Sequence, residues 1–443
     1  MSLTPLERST PTAPNDLESG AARPVSSGQP ASDDGLYRIV WRWHFYAGMI
    51  IAPALIVVAA TGALYIFKDE LEAVVYPGLT YVEPAAERVP YEQQLSAART
   101  AVPTMPRIIF MQIFANRSRA TSIAMSGEGF QYSYVDPYRG RYLGGVKSGG
   151  FFDTVLALHR TLFLGTNGRI IVDLTTCWTI VLAVTGIYLW WPSKSNQLWG
   201  VWLPRLRRKP YVVLRDLHAV SGTYTALVAI LIALTGLFYS YSWGNAFRYA
   251  YLKTEANDMF SKPMLCKSPA DAKDLPIDRF IEIGHEKMPG KTLTVWFPRA
   301  PNGVYLVIGS GDYGPQAQEM LFIDRATGEI LEHRFNSQTK LLYQIGSWNY
   351  PLHVGSILGM PSKVLWLVAC VILMTSPVTG VWMWWLRRPK GRIGLPRRDN
   401  ARRPFWLIAT IVVTSILLPT VGVSVIVVLL IELIMSRLRR VWA

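Results

Sequence analysis

Apolar residues along this chain gather in long unbroken runs. Four of them, 45–67, 170–191, 219–243 and 364–386, each approach the ~20 residues an α-helix needs to cross a bilayer. A fifth run fills 404–435. Between the first and second runs, and again between the third and fourth, the pattern changes to short alternating segments. TSIAMSG, FQYSYVD, LTVWFP, GVYLVIG and EMLFID read as strands, and Tyr91–Ala101 and Ile277–Met288 read as helices preceding them. The pattern predicts an α-helical integral membrane bundle carrying two small α+β domains. The first 37 residues are rich in Pro, Ser, Gly and Asp without an apolar core, and predict a disordered tail.

Charge orients the bundle. The net charge is +15, but it is unevenly placed. Loop 193–217 holds six Lys or Arg against one acid, Asp216, and 387–403 holds eight against Asp399 alone. Segment 68–158 has nine basic and nine acidic residues, and 244–352 has twelve of each. The positive-inside rule puts the two basic loops in the cytoplasm and both balanced loops outside. The basicity thus reports topology and contact with the lipid bilayer, and no soluble basic face suggests nucleic acid.

These boundaries give a tail at 1–37, a first span at 38–67, an outer domain at 68–150 and a second span with its lead-in at 151–192. A basic loop at 193–211, a third span at 212–243, a second outer domain at 244–345 and a fourth span with its lead-in at 346–386 follow. After the basic loop 387–403, segment 404–436 is either a hairpin turning near Pro419–Gly422 or a single span. Within the first four spans no buried mid-span acid is expected, which weighs against a transporter of iron or its chelate.

The unit of span, outer domain and span is used twice. His44 is followed by Gly48 and by Thr61-Gly62, and His218 by Gly222 and Thr235-Gly236 at the same distances. Measured from His159 and His353, each copy has Gly at +6, a basic residue at +10 (Arg169, Lys363), Thr-Gly at +26 and +27, and Trp-Trp at +31 and +32. YVDPYRGRYLGG around Asp136 echoes FIDRATGEILEH around Asp324. Parallel repeats of this kind are related by an axis along the membrane normal.

Only six histidines are present, and four of them, His44, His159, His218 and His353, fall at these repeated positions. His285 and His333 have no counterpart and read as surface groups. Topology pairs His44 with His218 near the cytoplasmic face and His159 with His353 near the outer face. Gly48 and Gly62 return to the face of His44, and Gly222 and Gly236 to that of His218, leaving room for a flat ligand. Haem iron takes two opposed imidazoles. Zinc, the main rival, needs four ligands, and no thiol lies near either pair in sequence. Arg42, Arg215, Arg160, Arg169 and Lys363 lie near the right levels to meet haem propionates, and each is equally suited to anchoring in lipid headgroups. Cys177, Cys266 and Cys370 form no framework, and no C-x-x-C-H motif would attach haem covalently.

The motifs W-R-x-H, L-x-x-L-H-x-x-x-G and T-G-x-x-x-W-W, with the paired outer loops, resemble the PepSY-associated transmembrane family of bacterial inner-membrane proteins over residues 38–390. The resemblance implies an inner-membrane location with the N-terminus in the cytoplasm and PepSY-like periplasmic domains. It also implies two haem b groups, one ligated by His44 with His218 and one by His159 with His353. Some members look like ferric-siderophore reductases, so the expected activity is reduction of a ferric siderophore or similar ferric chelate in the periplasm. No Gly-rich dinucleotide fingerprint follows a strand, so the electron donor would be a separate cytoplasmic reductase or quinol. The alternatives are a PepSY-type periplasmic binding or regulatory membrane protein, and the transporter already mentioned.

Overall fold

The computed structural model describes residues 33–191, 197–254, 264–311, 314–389 and 405–441. Most of the expected tail, and of the basic loop 387–403, lies outside the described residues. Within 33–37 the expectation fails, because the helix of the first span already begins at Asp33.

Among the described residues four helices are long and apolar enough to cross a membrane: Gly35–Ile66, Gly165–Trp190, Pro210–Tyr239 and Met360–Arg387. Threonines inside them return their hydroxyls to the carbonyl one turn back, as Thr61 does to Val57 (2.7 Å) and Thr235 to Leu231 (2.7 Å). That removes the cost of a free donor in apolar surroundings. The third span is interrupted by one π-turn, Leu217–Ser221, which carries His218. His159 and His353 instead sit on separate helices, Phe151–Thr161 and Leu341–Val354, that lead into the second and fourth spans. The first of these reverses through Leu162 (φ 48°) and Phe163 (φ 59°). Left-handed backbone at non-glycine residues costs about 1–2 kcal/mol each.

The outer loops were expected to fold as two domains, but their strands form one antiparallel sheet, ordered β4-β3-β2-β1-β5-β6-β7-β8. Strands β1 (Arg107–Ile113), β2 (Thr121–Ser126), β3 (Phe130–Val135) and β4 (Tyr142–Lys147) come from the first loop. Strands β5 (Thr292–Trp296), β6 (Tyr305–Ser310), β7 (Glu319–Ile323) and β8 (Ile330–Phe335) come from the second. The halves meet where β1 pairs with β5, with Met111 opposite Val295 and Ile113 opposite Leu293. Each half alone would leave that apolar strand as an open edge, and pairing the two edges removes the liability. Helices Tyr91–Ala101 and Ile277–Lys287 cover one face, so Leu95, Phe280, Met111, Ile123, Leu293 and Val307 share a single core.

Phe280 is fully buried and stacks on Tyr305 at 4.0 Å between ring centroids. Phe280→Ala is expected to cost about 3–5 kcal/mol. It should appear as a lower thermal midpoint of the sheet domain, with the histidine pairs undisturbed. The echo around Asp136 and Asp324 turns out to be the hairpin linking the last two strands of each half. Asp136 Oδ1 accepts from the Tyr138 and Arg139 amides (2.9 and 3.1 Å), and Asp324 Oδ1 from those of Ala326 and Thr327 (3.0 and 3.1 Å). Each carboxylate closes a tight turn.

Beyond the fourth span, helices Phe405–Leu417 and Pro419–Val441 break at Leu418. A Cβ on Gly422 would lie 2.9 Å from the Ser415 carbonyl oxygen, so the chain folds back there as a hairpin. It docks on the second span, where Trp178 Nε1 donates to Ser424 Oγ (3.1 Å), and Trp243 Nε1 donates to the Leu417 carbonyl (2.9 Å).

Candidate functional site

The structure brings the four repeated histidines together in two pairs. The His44 and His218 rings have centroids 6.3 Å apart and planes at 82°. For His159 and His353 the values are 6.2 Å and 62°. The second pair lies at the sheet end of the bundle, because its helices follow β4 and β8 within a few residues. Thr61, which touches His159, stands 17 residues beyond His44 on the same helix, about 25 Å along its axis. The two pairs therefore sit near opposite ends of the spans.

Each ring is held through Nδ1. His44 meets Thr185 Oγ1 (2.9 Å). His159 meets the Val58 carbonyl (2.9 Å) and Thr61 Oγ1 (3.1 Å). His218 meets the Ser376 carbonyl (3.0 Å) and Thr379 Oγ1 (3.2 Å). His353 meets the Ile232 carbonyl and Thr235 Oγ1, both at 3.1 Å. A carbonyl accepts only, and each threonine hydroxyl already donates to its own helix, so Nδ1 carries the proton and donates. Nε2 is left with its lone pair, the state a metal ligand requires. Burial also pushes the His159 and His353 imidazoles below the usual histidine range and favours the neutral ring.

The Thr-Gly pairs therefore do something the sequence did not reveal. Gly62 and Gly236 were expected to make room beneath His44 and His218. Instead a Cβ on Gly62 would stand 3.2 Å from His159 Cε1, and one on Gly236 3.2 Å from His353 Cε1. Helix-face arithmetic works along one helix, whereas this contact crosses between two. Gly186 and Gly380 receive His44 and His218 in the same way, at 3.5 and 3.7 Å. The space one turn beyond the first pair does remain open. A Cβ on Gly222 would meet nothing within 4 Å, and one on Gly48 only Leu182 Cδ1 at 4.0 Å.

The five cations have separate fates. Arg42 is half-buried on the first span, two residues before His44. Arg215 is drawn to buried Asp216 (2.6 Å), which also takes Arg205 (2.7 Å). Arg160 lies over the Tyr239 ring at 5.6 Å, and that ring is 5.4 Å from His353. Arg169 donates to the carbonyls of Tyr239 and Ser240 (3.3 and 2.8 Å). Lys363, at the matching position of the other half, instead pairs with Glu70 (2.8 Å). Beside the sheet-end pair, a cavity of about 350 Å³ is lined by Tyr239, Phe247, Arg248 and Asn349, among others. Asn349 is buried one turn before His353, and its Oδ1 has no partner. An orphaned acceptor and a cation beside an imidazole pair suit the polar edge of a ligand.

Among the described residues two acids are buried in the span helices: Asp216, held by Arg205 and Arg215 at the start of the third, and, contrary to expectation, Asp173 inside the second. Asp173 is fully buried in the second span and accepts from the Ser242 amide (2.9 Å) and the Ser242 hydroxyl. Ser242 opens the helix Ser242–Lys253, so the carboxylate caps a helix N-terminus and is occupied by structure rather than by a transported ion. Asp173→Leu would leave those part-buried donors without their acceptor. It is expected to lower the thermal midpoint by the equivalent of about 1–3 kcal/mol per lost partner, with Asp173→Asn falling between the two.

Among the described residues no three His, Cys, Asp or Glu side chains converge, so the four-ligand set of zinc is not built at either pair. The comparison with known families matches the PepSY-associated TM region to residues 41–387. The chain belongs to that family. No curated protein matches it. The match runs from just before His44 to the end of the fourth span, so all four histidines of this PepSY-associated protein lie inside the family region. The threonines that orient them were visible in the sequence as a repeated Thr-Gly, but only the folded bundle assigns each to its ring.

Proposed function

We propose that this PepSY-associated membrane protein is a di-haem b electron-transfer protein of the bacterial inner membrane, reducing ferric siderophores or similar ferric chelates in the periplasm. The observation that carries it is the spacing of the rings. An imidazole nitrogen bonds a transition metal at about 2 Å, so two imidazoles on opposite sides of one ion have centroids roughly 6 Å apart. Both pairs stand at 6.2–6.3 Å with every Nδ1 tied away, which supports bis-histidine ligation. His44 and His218 would hold one haem, His159 and His353 the other. Bound haem would supply a one-electron carrier at each end of the spans.

This chain's own residues do the rest. The Thr-Gly contacts hold each imidazole as a neutral ligand, and the apolar spans exclude water. Arg160 and Arg248 offer cationic partners to propionates at the sheet end. The repeated His, Thr-Gly and hairpin geometry supports a duplicated span–domain–span unit, each half docking its histidines on its own spans. The basic loops would face the cytoplasm, with the sheet in the periplasm. The donor would be a cytoplasmic reductase or quinol. The test is the absorption spectrum of the purified, dithionite-reduced protein. About two acid-extractable haem b groups per chain with six-coordinate low-spin bands are expected, and a haem-free preparation from haem-replete cells would refute the proposal.

A further inference from the structure

The four Thr-Gly contacts look alike in sequence, yet in the structure they are unequal. His159, His218 and His353 each have two acceptors at Nδ1, a main-chain carbonyl and a threonine hydroxyl. His44 has one, Thr185 Oγ1 at 2.9 Å. Thr185 in turn donates to the Val181 carbonyl at 2.7 Å, which leaves its oxygen free to accept from the ring. A carbonyl belongs to the helix and survives any side-chain change, whereas the hold on His44 depends on one hydroxyl.

The contacts also differ in room. At the sheet-end pair the glycines leave 3.2 Å between a Cβ and His159 or His353, tighter than ordinary contact. At the other pair Gly186 and Gly380 leave 3.5 and 3.7 Å, an ordinary van der Waals separation. The sheet-end imidazoles are thus fixed by main chain and by close packing together. The opposite pair is looser, and His44 is its weakest point.

We infer that Thr185 is a positioning residue which alone sets the tautomer and orientation of His44, so that it tunes the His44–His218 site more than any other threonine tunes its own. This rests on the di-haem proposal for its redox consequence but not for its geometry. An imidazole that donates from Nδ1 is a stronger electron donor through Nε2 and stabilises the oxidised metal. Removing the sole acceptor weakens that donation and frees the ring to turn.

The test compares full-length Thr185→Val, which keeps shape and loses the hydroxyl, with Thr61→Val, Thr235→Val and Thr379→Val. Haem per chain and midpoint potentials are measured for each. Thr185→Val is expected to raise the potential of the component that His44→Ala removes and to lower its retention, leaving the other component in place. Thr185→Ser should restore both, and the other three valine variants should shift less because their carbonyls remain. Equal shifts in all four variants, an indifferent Thr185→Val, or a serine variant as impaired as the valine one would each overturn the inference. Histidine ¹⁵N shifts of the haem-free protein supply a readout independent of haem. His44 should be an Nδ1–H tautomer in the wild type and a mixture in Thr185→Val; an unchanged tautomer overturns the inference even if haem never binds. Should Thr185→Val fail to accumulate, the packing difference is read from glycines. Gly62→Ala and Gly236→Ala should disturb the sheet-end site, while Gly186→Ala and Gly380→Ala are tolerated. The reverse order would overturn the grading.

Discussion

Replacing His44 or His218 by alanine is expected to remove one of two haem components and to spare most of the other, and replacing His159 or His353 to do the converse. Within each pair one imidazole would lose its partner across 6.2–6.3 Å, and five-coordinate iron is the best outcome left to it. The pairs are well separated along the spans, and each ring is docked on its own threonine, so a vacancy at one site gives no reason for the other to collapse. About half the haem per chain should be lost, with a single low-spin component remaining in the reduced spectrum. The double variant His44→Ala/His218→Ala should look like either single one, because both remove the same site. If His44→Ala and His159→Ala eliminate the same component, the pairing is wrong.

Much of this site was legible before the fold was known, for a physical reason. A span offers few polar side chains, so histidines recurring at matched positions of two halves stand out, and topology alone sorted them into two levels. The partners of those histidines were less legible. Thr61-Gly62 and Thr235-Gly236 were visible as repeats, but distance along a helix says nothing about which neighbouring helix approaches. His159 reaches Thr61 from 98 residues away and His353 reaches Thr235 from 118. The burial of Asp173 is hidden in the sequence for a related reason. The residue sits in an apolar run, and the Ser242 group that neutralises its cost is 69 residues downstream.

The outer part divides in the same way. Thr121–Ser126 and Tyr305–Ser310 announce themselves as short segments, each buried over its first five residues, and both covering helices by their period. Arg107–Ile113 was not among the strands read from the sequence, although it is the one by which the first half joins the second. Its pairing with Thr292–Trp296 turned two expected domains into one, and nothing local to either strand encodes that choice. The cations show the limit of reading by level alone. Lys363 and Arg169 match in position, yet one pairs with Glu70 and the other with main-chain carbonyls.

Chemically reduced protein is expected to reoxidise quickly on addition of a ferric hydroxamate or similar chelate, releasing Fe(II) to a ferrous trap. One electron converts Fe(III), held tightly by hard oxygen donors, to Fe(II), held far less well. A bulky chelate needs a folded surface beside the donor, and the sheet lies at the same end of the bundle as the His159–His353 pair. The face of the sheet turned away from its covering helices carries Phe110 against Trp296 (4.8 Å) and Tyr132 (6.2 Å). Its neighbouring residues Leu306 and Phe322 pack near Tyr343, on the helix that bears His353. Aromatic surface and the sheet-end imidazoles are thus on connected elements. His159→Ala or His353→Ala should bring Fe(II) release down to the rate of buffer alone, under conditions where the remaining haem is still reduced by dithionite. His44→Ala should leave this reaction of the chemically reduced protein largely intact, since an electron held by a haem at the sheet end would not have to pass His44, and should instead block delivery from a donor on the opposite face in sealed vesicles. Indifference of the reduced wild type to every ferric chelate tried, with rapid reaction toward a quinone or a periplasmic protein, would leave the two-site relay standing and remove ferric reduction from it.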